Sequence, residues 1–333
     1  MFSERGRSPA ELDQLAQALA REYGWSDLRL SAADRGFYGE TWIATSTQGR
    51  FFLKLIAYRR HMAGFLQSLE VVDWMNDMGL DFISRPVATR TGERFILALD
   101  GVLAAFRFEE GLHTEAYPLE DLIRRMASVY RLPTRDLALP WEQFGWHEYF
   151  GCMEALRIAR ASDRSAVKAA LAVVDAQRSE LKWCEEMLRQ VIPICQGLPA
   201  HRVITSGDVG GNVLVRDGEL IVVDWDQLML APVERDLWFF MQDMRQIERI
   251  DAVLAREGLS SRIEPAFLAY YACSRTFFYL REYLFSAMAE GGESAVEQLR
   301  AFFNPDEFIV RCLTEASRIV SELQRRHSTN EGK

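Results

Sequence analysis

The densest chemical signal in the chain is an Asp and an Asn on a short glycine-rich loop, followed by two more Asp residues after an apolar strand. The loop reads Ser206-Gly-Asp208-Val-Gly-Gly-Asn212 and runs into Val213–Val215, and the strand Leu220–Val223 ends in Asp224-Trp225-Asp226. Between them Asp217-Gly218 predicts a tight hairpin turn. A loop and hairpin of this kind can carry Asp208, Asn212 and Asp224 to one point. Such a donor set suits Mg²⁺, which takes one or two carboxylates and completes its shell with water and substrate phosphates. Phosphoryl transfer uses that ion, together with a carboxylate that orients the attacking hydroxyl or accepts its proton. An isolated Asp-x-x-x-Asn is also an ordinary turn signature, because Asx side chains bond nearby backbone. The Asp pair after the strand and the downstream Glu234-Arg235-Asp236 favour chemistry over the turn.

The elements that must position these residues divide by pattern. Helical spacing covers 10–23 through Leu12, Leu15 and Leu19, with Gly24 as a stop, and returns over 60–78 through Phe65, Leu69, Val72 and Met75. Between them lie β-rich runs at 41–45 and 50–56, and further strands are expected at 84–89, 94–99 and 101–108. Beyond Gly111 the chain is mainly helical, with long helices expected over 118–131, 164–190, 242–256, 263–290 and 306–326. The β island 202–226 interrupts them.

Composition bounds the classes. The 333 residues are 49% hydrophobic and 26% charged, which excludes a disordered chain, a collagen-like repeat and a coiled-coil rod. That length fits two domains. Lys and Arg number 39 against 48 Asp and Glu, a net −9, so a general nucleic-acid binder is not expected. The five cysteines are odd in number and form no CxxC, which argues for reduced core thiols over a zinc knuckle or disulfide framework. The N-terminus has no apolar signal core and no run reaches 18 apolar residues, so a cytoplasmic protein without a membrane span is expected.

The loop, the Asp pair and the Arg-Asp-Leu that follows resemble the aminoglycoside phosphotransferase/choline kinase-like superfamily. The run Leu228-Met-Leu-Ala-Pro-Val-Glu-Arg-Asp-Leu-Trp-Phe-Phe is most similar to its spectinomycin phosphotransferase branch. The resemblance implies an α+β, bilobal, protein-kinase-like fold. Residues 1–110 would form a small antiparallel-sheet nucleotide lobe with one helix, and 111–333 a helical lobe with the catalytic loop and acceptor site, joined by a hinge at 103–111. It implies Asp208 as catalytic base, Asn212 and Asp224 as Mg²⁺ ligands with Asp226 as a further carboxylate, and Asp236 as the buried acid bracing the catalytic loop. Lys54 would hold the ATP (or GTP) phosphates with Glu70 as its ion-pair partner, Gly36 and Gly39 would cover the phosphates, and the backbone near Ala104, Ala105 and Phe106 would read the purine edge. Glu109, Trp146 and Tyr279 are the acceptor-side candidates, since carboxylates and aromatic faces suit a cationic small molecule. A monomer or homodimer is expected.

Two departures stand out. Three residues separate Asp208 from Asn212 where the kinase pattern has four, and Ser206 stands where that pattern has His. They motivate an alternative in the form of a kinase-like nucleotide or metabolite binder without turnover. Another acceptor, such as choline, a sugar or a hydroxy amino acid, is also compatible with the resemblance. A protein acceptor is disfavoured, because Ala231-Pro-Val-Glu234 follows the metal Asp too closely for an activation loop.

Overall fold

The structure, a computed structural model, describes residues 7–33, 39–114, 116–259, 262–289 and 292–330. In chain order its elements are α1 Pro9–Tyr23, β1 Arg29–Ala32, β2 Glu40–Ser46, β3 Gly49–Ile56, α2 Arg59–Asp77, β4 Ile96–Ala98, β5 Gly101–Arg107, β6 Leu112–His113 and α3 Leu119–Tyr130. There follow α4 His147–Arg160, α5 Ser165–Ala176, α6 Arg178–Gly197, β7 Val203–Thr205, β8 Val213–Arg216, β9 Glu219–Val222, β10 Met229–Ala231 and α7 Glu234–Leu237. A 3-10 turn at Trp238–Gln242 leads to α8 Met244–Arg256, α9 Pro265–Met288, α10 Glu293–Phe302 and α11 Phe308–Asn330.

These elements form two compact units, Gly6–Pro140 with Ile204–Leu230, and Trp141–Val203 with Ala231–Lys333. The division expected near Gly111 does not coincide with a boundary of either unit. Compactness instead groups 111–140 and the β8–β9 hairpin with the N-terminal sheet.

In the first unit an antiparallel sheet runs in the order β1-β2-β3-β5-β4. Alternation along β3 sorts its side chains onto two faces. Leu53 and Leu55 join Leu103 and Ala105 of β5 in a core closed by Leu15, Leu19 and Tyr23 of α1. On the other face Ile56, Val102 and Ala104 pack with Phe65 and Leu69 of α2. Helix α1 is fixed at both ends by a Ser8–Glu11 capping box and by Gly24 in the left-handed conformation. The strand expected at 84–89 is reduced to single bridges at Ile83 and Pro86, because proline brings no N–H to a ladder. The hairpin forms as its Asp-Gly predicts. Asp217 and Gly218 both have positive φ, 50° and 85°, and Arg216 pairs with Glu219.

The second unit is helical. α9 is buried on nearly all sides over Ala266–Thr276, as befits a helix apolar all round, and packs against α4, α6, α10 and α11. The single helix expected over 164–190 is two, broken at Gln177 where the backbone leaves helical angles (φ −100°, ψ 20°). α4 and α10 went unassigned in the sequence reading. The aromatic-rich start of α4 carries Phe150 exposed, which blurs its helical stripe. All five cysteines are buried and unpaired. Among the described residues no helix is long and apolar enough to cross a membrane.

Candidate active site

Lys54 follows from the period of β3. It shares a face with Ile56, stands opposite Ala104 in the register with β5, and is 5% exposed. An ammonium so buried needs anionic partners, and the hairpin supplies them. Lys54 Nζ donates to Asp224 Oδ1 at 2.6 Å and makes an ion pair with the Asp226 carboxylate.

The 223–228 segment reaches Lys54 because it is tethered at both ends. Val222 N–H donates to the Phe82 carbonyl (2.8 Å), and Leu228 N–H donates to Ser68 Oγ on α2 (3.0 Å). Within the segment the Trp225 indole N–H donates to the Val222 carbonyl at 2.9 Å. Asp224 itself has φ +64°, a left-handed backbone that Asp tolerates better than most side chains.

Electrostatics follow from burial and crowding. Burial pushes the Asp226 carboxyl up to about 7, the neighbouring Asp224 charge adds to this, and Lys54 opposes it. Burial acts in the same sense on Asp224, whose side chain is still 36% exposed, but Lys54 and a hydrogen bond from Asp226 outweigh it and hold that carboxyl low. Burial would lower Lys54, and the two carboxylates more than reverse that. With both carboxylates ionised, two negative charges face one ammonium, which leaves room in the charge balance for a further cation.

The Asp208–Asn212 loop stands next to this pair. The Asn212 carbonyl accepts from Val223 N–H (2.9 Å), one step beyond the Val213–Val222 register, which sets Asn212 opposite Val223, the residue before Asp224. Asn212 Nδ2 donates to the Asp208 carbonyl at 2.7 Å, so its Oδ1 is the atom left for a cation. Asp208 is exposed, and its backbone N–H donates to Oγ of the buried Ser206 (3.4 Å). Asn212, Asp224 and Asp226 are all hard oxygen donors and fit Mg²⁺. Among the described residues no three His, Cys, Asp or Glu side chains could hold a metal by themselves. An ion here would draw on phosphate oxygens as well, which is the habit of Mg²⁺.

Other expected residues fall elsewhere. Glu70 is exposed and does not meet Lys54. The buried face of α2 runs through Phe65, Ser68, Leu69 and Val72, which turns position 70 outward. Ala104, Ala105 and Phe106 lie inside β5, paired with β3 on one side. On the other, the Ala105 carbonyl accepts from Val87 N–H (2.7 Å), so this backbone is already spent. Irregular backbone begins only after Arg107. Gly36 lies outside the described residues. Gly39 is buried against Lys54 and a Cβ there would stand 3.1 Å from the Leu55 carbonyl oxygen, a close approach only glycine allows without adjustment. Glu109 pairs with Arg216 (3.4 Å).

In the second unit Asp236 is 1% exposed. Trp146 stands at the start of α4 against Tyr149 and Phe150, with Arg189 over its ring. Tyr279 is half-buried and packs among Trp238, Phe278, Phe302 and Phe308. Sequence reading missed Ser68, whose signal is a lone hydroxyl on the apolar face of α2. It also missed His113 and Tyr117, which bond the loop carbonyls and carry no local motif.

An antiparallel sheet with a buried lysine, tethered to a hairpin that ends in paired aspartates, defines a kinase-like phosphotransferase fold. Residues 29–271 match the phosphotransferase enzyme family, and the chain belongs to that family. No curated protein sequence matches it. Among solved structures, spectinomycin phosphotransferase APH(9)-Ia in complex with ADP and spectinomycin is similar, at 19% identity and TM-score 0.69 over 91% of this chain and 98% of that one. Amicoumacin kinase hAmiN in complex with AMP-PNP, Ca²⁺ and Ami matches at 12% identity and TM-score 0.56, over 89% of this chain and 96% of that one. Choline kinase from Cryptosporidium parvum Iowa II matches at 10% and 0.52, over 93% and 97%. At these identities the likeness concerns the fold.

Proposed function

We propose that the protein is a Mg²⁺-dependent small-molecule kinase that transfers the γ-phosphoryl group of ATP (or GTP) to a hydroxyl of an amine-bearing acceptor, an aminocyclitol or aminoglycoside being the nearest chemistry. The observation that carries this reading is the Lys54 ammonium held on Asp224 and Asp226 beside the Asp208–Asn212 loop. Lys54 binds the α- and β-phosphates once nucleotide competes for it. Asn212 Oδ1, Asp224 and Asp226 hold the metal, whose contribution is to neutralise charge on the phosphates. Asp208 orients the acceptor hydroxyl and takes its proton. The acceptor oxygen bonds to the γ-phosphorus as the bond to the β–γ bridging oxygen breaks, and the electron pair leaves on ADP.

Spectinomycin and amicoumacin accompany two structures of similar fold, which supports the acceptor class by analogy only. Transfer from [γ-³²P]ATP to a panel of aminocyclitols, aminoglycosides, choline and hydroxy amino acids tests the proposal, with Asp208→Asn run alongside. Labelling of one acceptor by the native protein and not by the variant is expected. Tight binding of Mg²⁺ and nucleotide with no acceptor labelled would point instead to a binding protein without turnover.

A further inference from the structure

The loop from Asp208 to Asn212 is one residue shorter than the kinase pattern, and its two consecutive glycine carbonyls are both held from outside. Tyr117 Oη donates to the Gly210 carbonyl at 2.9 Å. His113 Nε2 lies 2.7 Å from the Gly211 carbonyl oxygen. A carbonyl oxygen only accepts, so Nε2 carries the hydrogen. Both donors come from the segment that begins at β6, and β6 is itself a strand of the sheet that holds Asn212's hairpin. Leu112 pairs with Val215 and His113 with Leu214. Donors and loop are therefore registered on one ladder.

Inside the loop, Asn212 is tied by the 2.7 Å bond from its Nδ2 to the Asp208 carbonyl and by its backbone N–H, which donates to the Val209 carbonyl at 3.3 Å. Gly210 and Gly211 sit between these two residues and bring no side chain to stiffen the turn. A Cβ at 211 would lie in van der Waals contact with Asp208 Oδ1, at 3.4 Å, so the turn runs directly beneath the carboxylate. Glycine is free to leave this conformation on unfolding or loosening, and two outside hydrogen bonds offset that freedom.

Resting on the kinase reading above, we infer that Tyr117 and His113 are positioning residues, which clamp the Gly210 and Gly211 carbonyls and so fix the separation between the base, Asp208, and the metal ligand, Asn212. Neither touches the reacting atoms. A misplacement of about 1 Å at a catalytic group can cost ~10²-fold in rate, which makes a two-point clamp on a shortened loop consequential.

The test uses the full-length protein with Tyr117→Phe, His113→Leu, the double variant, and His113→Gln, which restores an N–H donor near the Nε2 position. Three quantities are read: ATP turnover with Mg²⁺, affinity of the protein–AMP-PNP complex for Mn²⁺ by calorimetry, and amide exchange over 207–212. Each single loss is expected to lower kcat about 10-fold and weaken Mn²⁺ several-fold, with the KM for ATP within about two-fold of native. Exchange over 207–212 should speed up, the melting midpoint should stay near native, and His113→Gln should recover most of the loss. Unchanged Mn²⁺ affinity and unchanged loop exchange would overturn the inference. So would a lowered melting midpoint that His113→Gln fails to rescue, since that marks general structural support. Asp208→Asn separates the two levels. If it turns over ATP like the native protein, the kinase reading fails, while Mn²⁺ affinity and exchange still decide whether the clamp exists.

Discussion

Glu234 is 3% exposed at the start of α7, and its Oε1 accepts from the Glu264 backbone N–H at 2.6 Å. Burial pushes its carboxyl up to about 7 from an ordinary 4.5, and the neighbouring carboxylates Glu264 and Asp251 add to this while the backbone bonds oppose it. In the folded protein the group therefore keeps its proton to near neutrality, whereas unfolded it releases it near 4.5. Its contribution to stability is full below pH 4.5, drains away as pH rises to about 7, and is gone above that. The gap of about 2.5 pH units, at ~1.4 kcal/mol each, corresponds to ~3 kcal/mol. Gln keeps an acceptor for Glu264 N–H and does not titrate. Glu234→Gln should match the native protein at pH 4.5 and exceed it by up to ~3 kcal/mol at pH 8. Urea unfolding at both pH values, with amide exchange in the first turn of α9 as a local readout, measures the difference. Equal stability at pH 8, or a variant weaker at both values by the same amount, would refute the reasoning.

Other expectations concern the candidate site. Asp208→Asn should lower phosphoryl transfer by ~10²–10⁴-fold with nucleotide affinity retained, read by steady-state kinetics and calorimetry. Lys54→Met strands Asp224 and Asp226 without their cation. Breaking a buried pair costs ~3–5 kcal/mol, and the partial exposure of Asp224 places this loss at or below the lower end; thermal melts with and without Mg²⁺ should show the ion restoring part of it. Glu70→Ala should leave stability within ~0.5 kcal/mol and the KM for ATP unchanged, and a loss comparable to that of Lys54→Met would return Glu70 to the site.

The residues legible in the sequence are those whose geometry is local. Asp208 and Asn212 share one loop, Asp224 and Asp226 end one strand, and β3 alone decides which way Lys54 points. What could not be read is whatever depends on where distant segments meet. The pairing of Lys54 with the hairpin spans 170 residues and rests on Phe82 and Ser68 tethers that carry no motif. Glu70 is a different case, because the phase of α2 was available. Phe65, Leu69 and Val72 already place 68 inward and 70 outward, and a spacing argument borrowed from the resemblance overrode it. The hinge was placed too early because strand pairing on both sides of β5 carries the ladder on to Arg107, and pairing on the second side depends on the irregular 85–87 segment.

The shortened loop and Ser206 were the strongest grounds in the sequence for doubting catalysis, and the site's own geometry bears on that doubt. A loop with one residue fewer has less chain in which to turn, and Gly207, with φ +87°, supplies the left-handed step just before Asp208. Ser206 then supplies an Oγ for the Asp208 N–H, Asn212 ties back to the Asp208 carbonyl, and the intervening carbonyls are taken up by Tyr117 and His113. A loop released from catalytic duty has no need of restraint at each of these groups. The departures from the kinase pattern are in this sense local and mutually compensating, which favours turnover over the binding-only alternative.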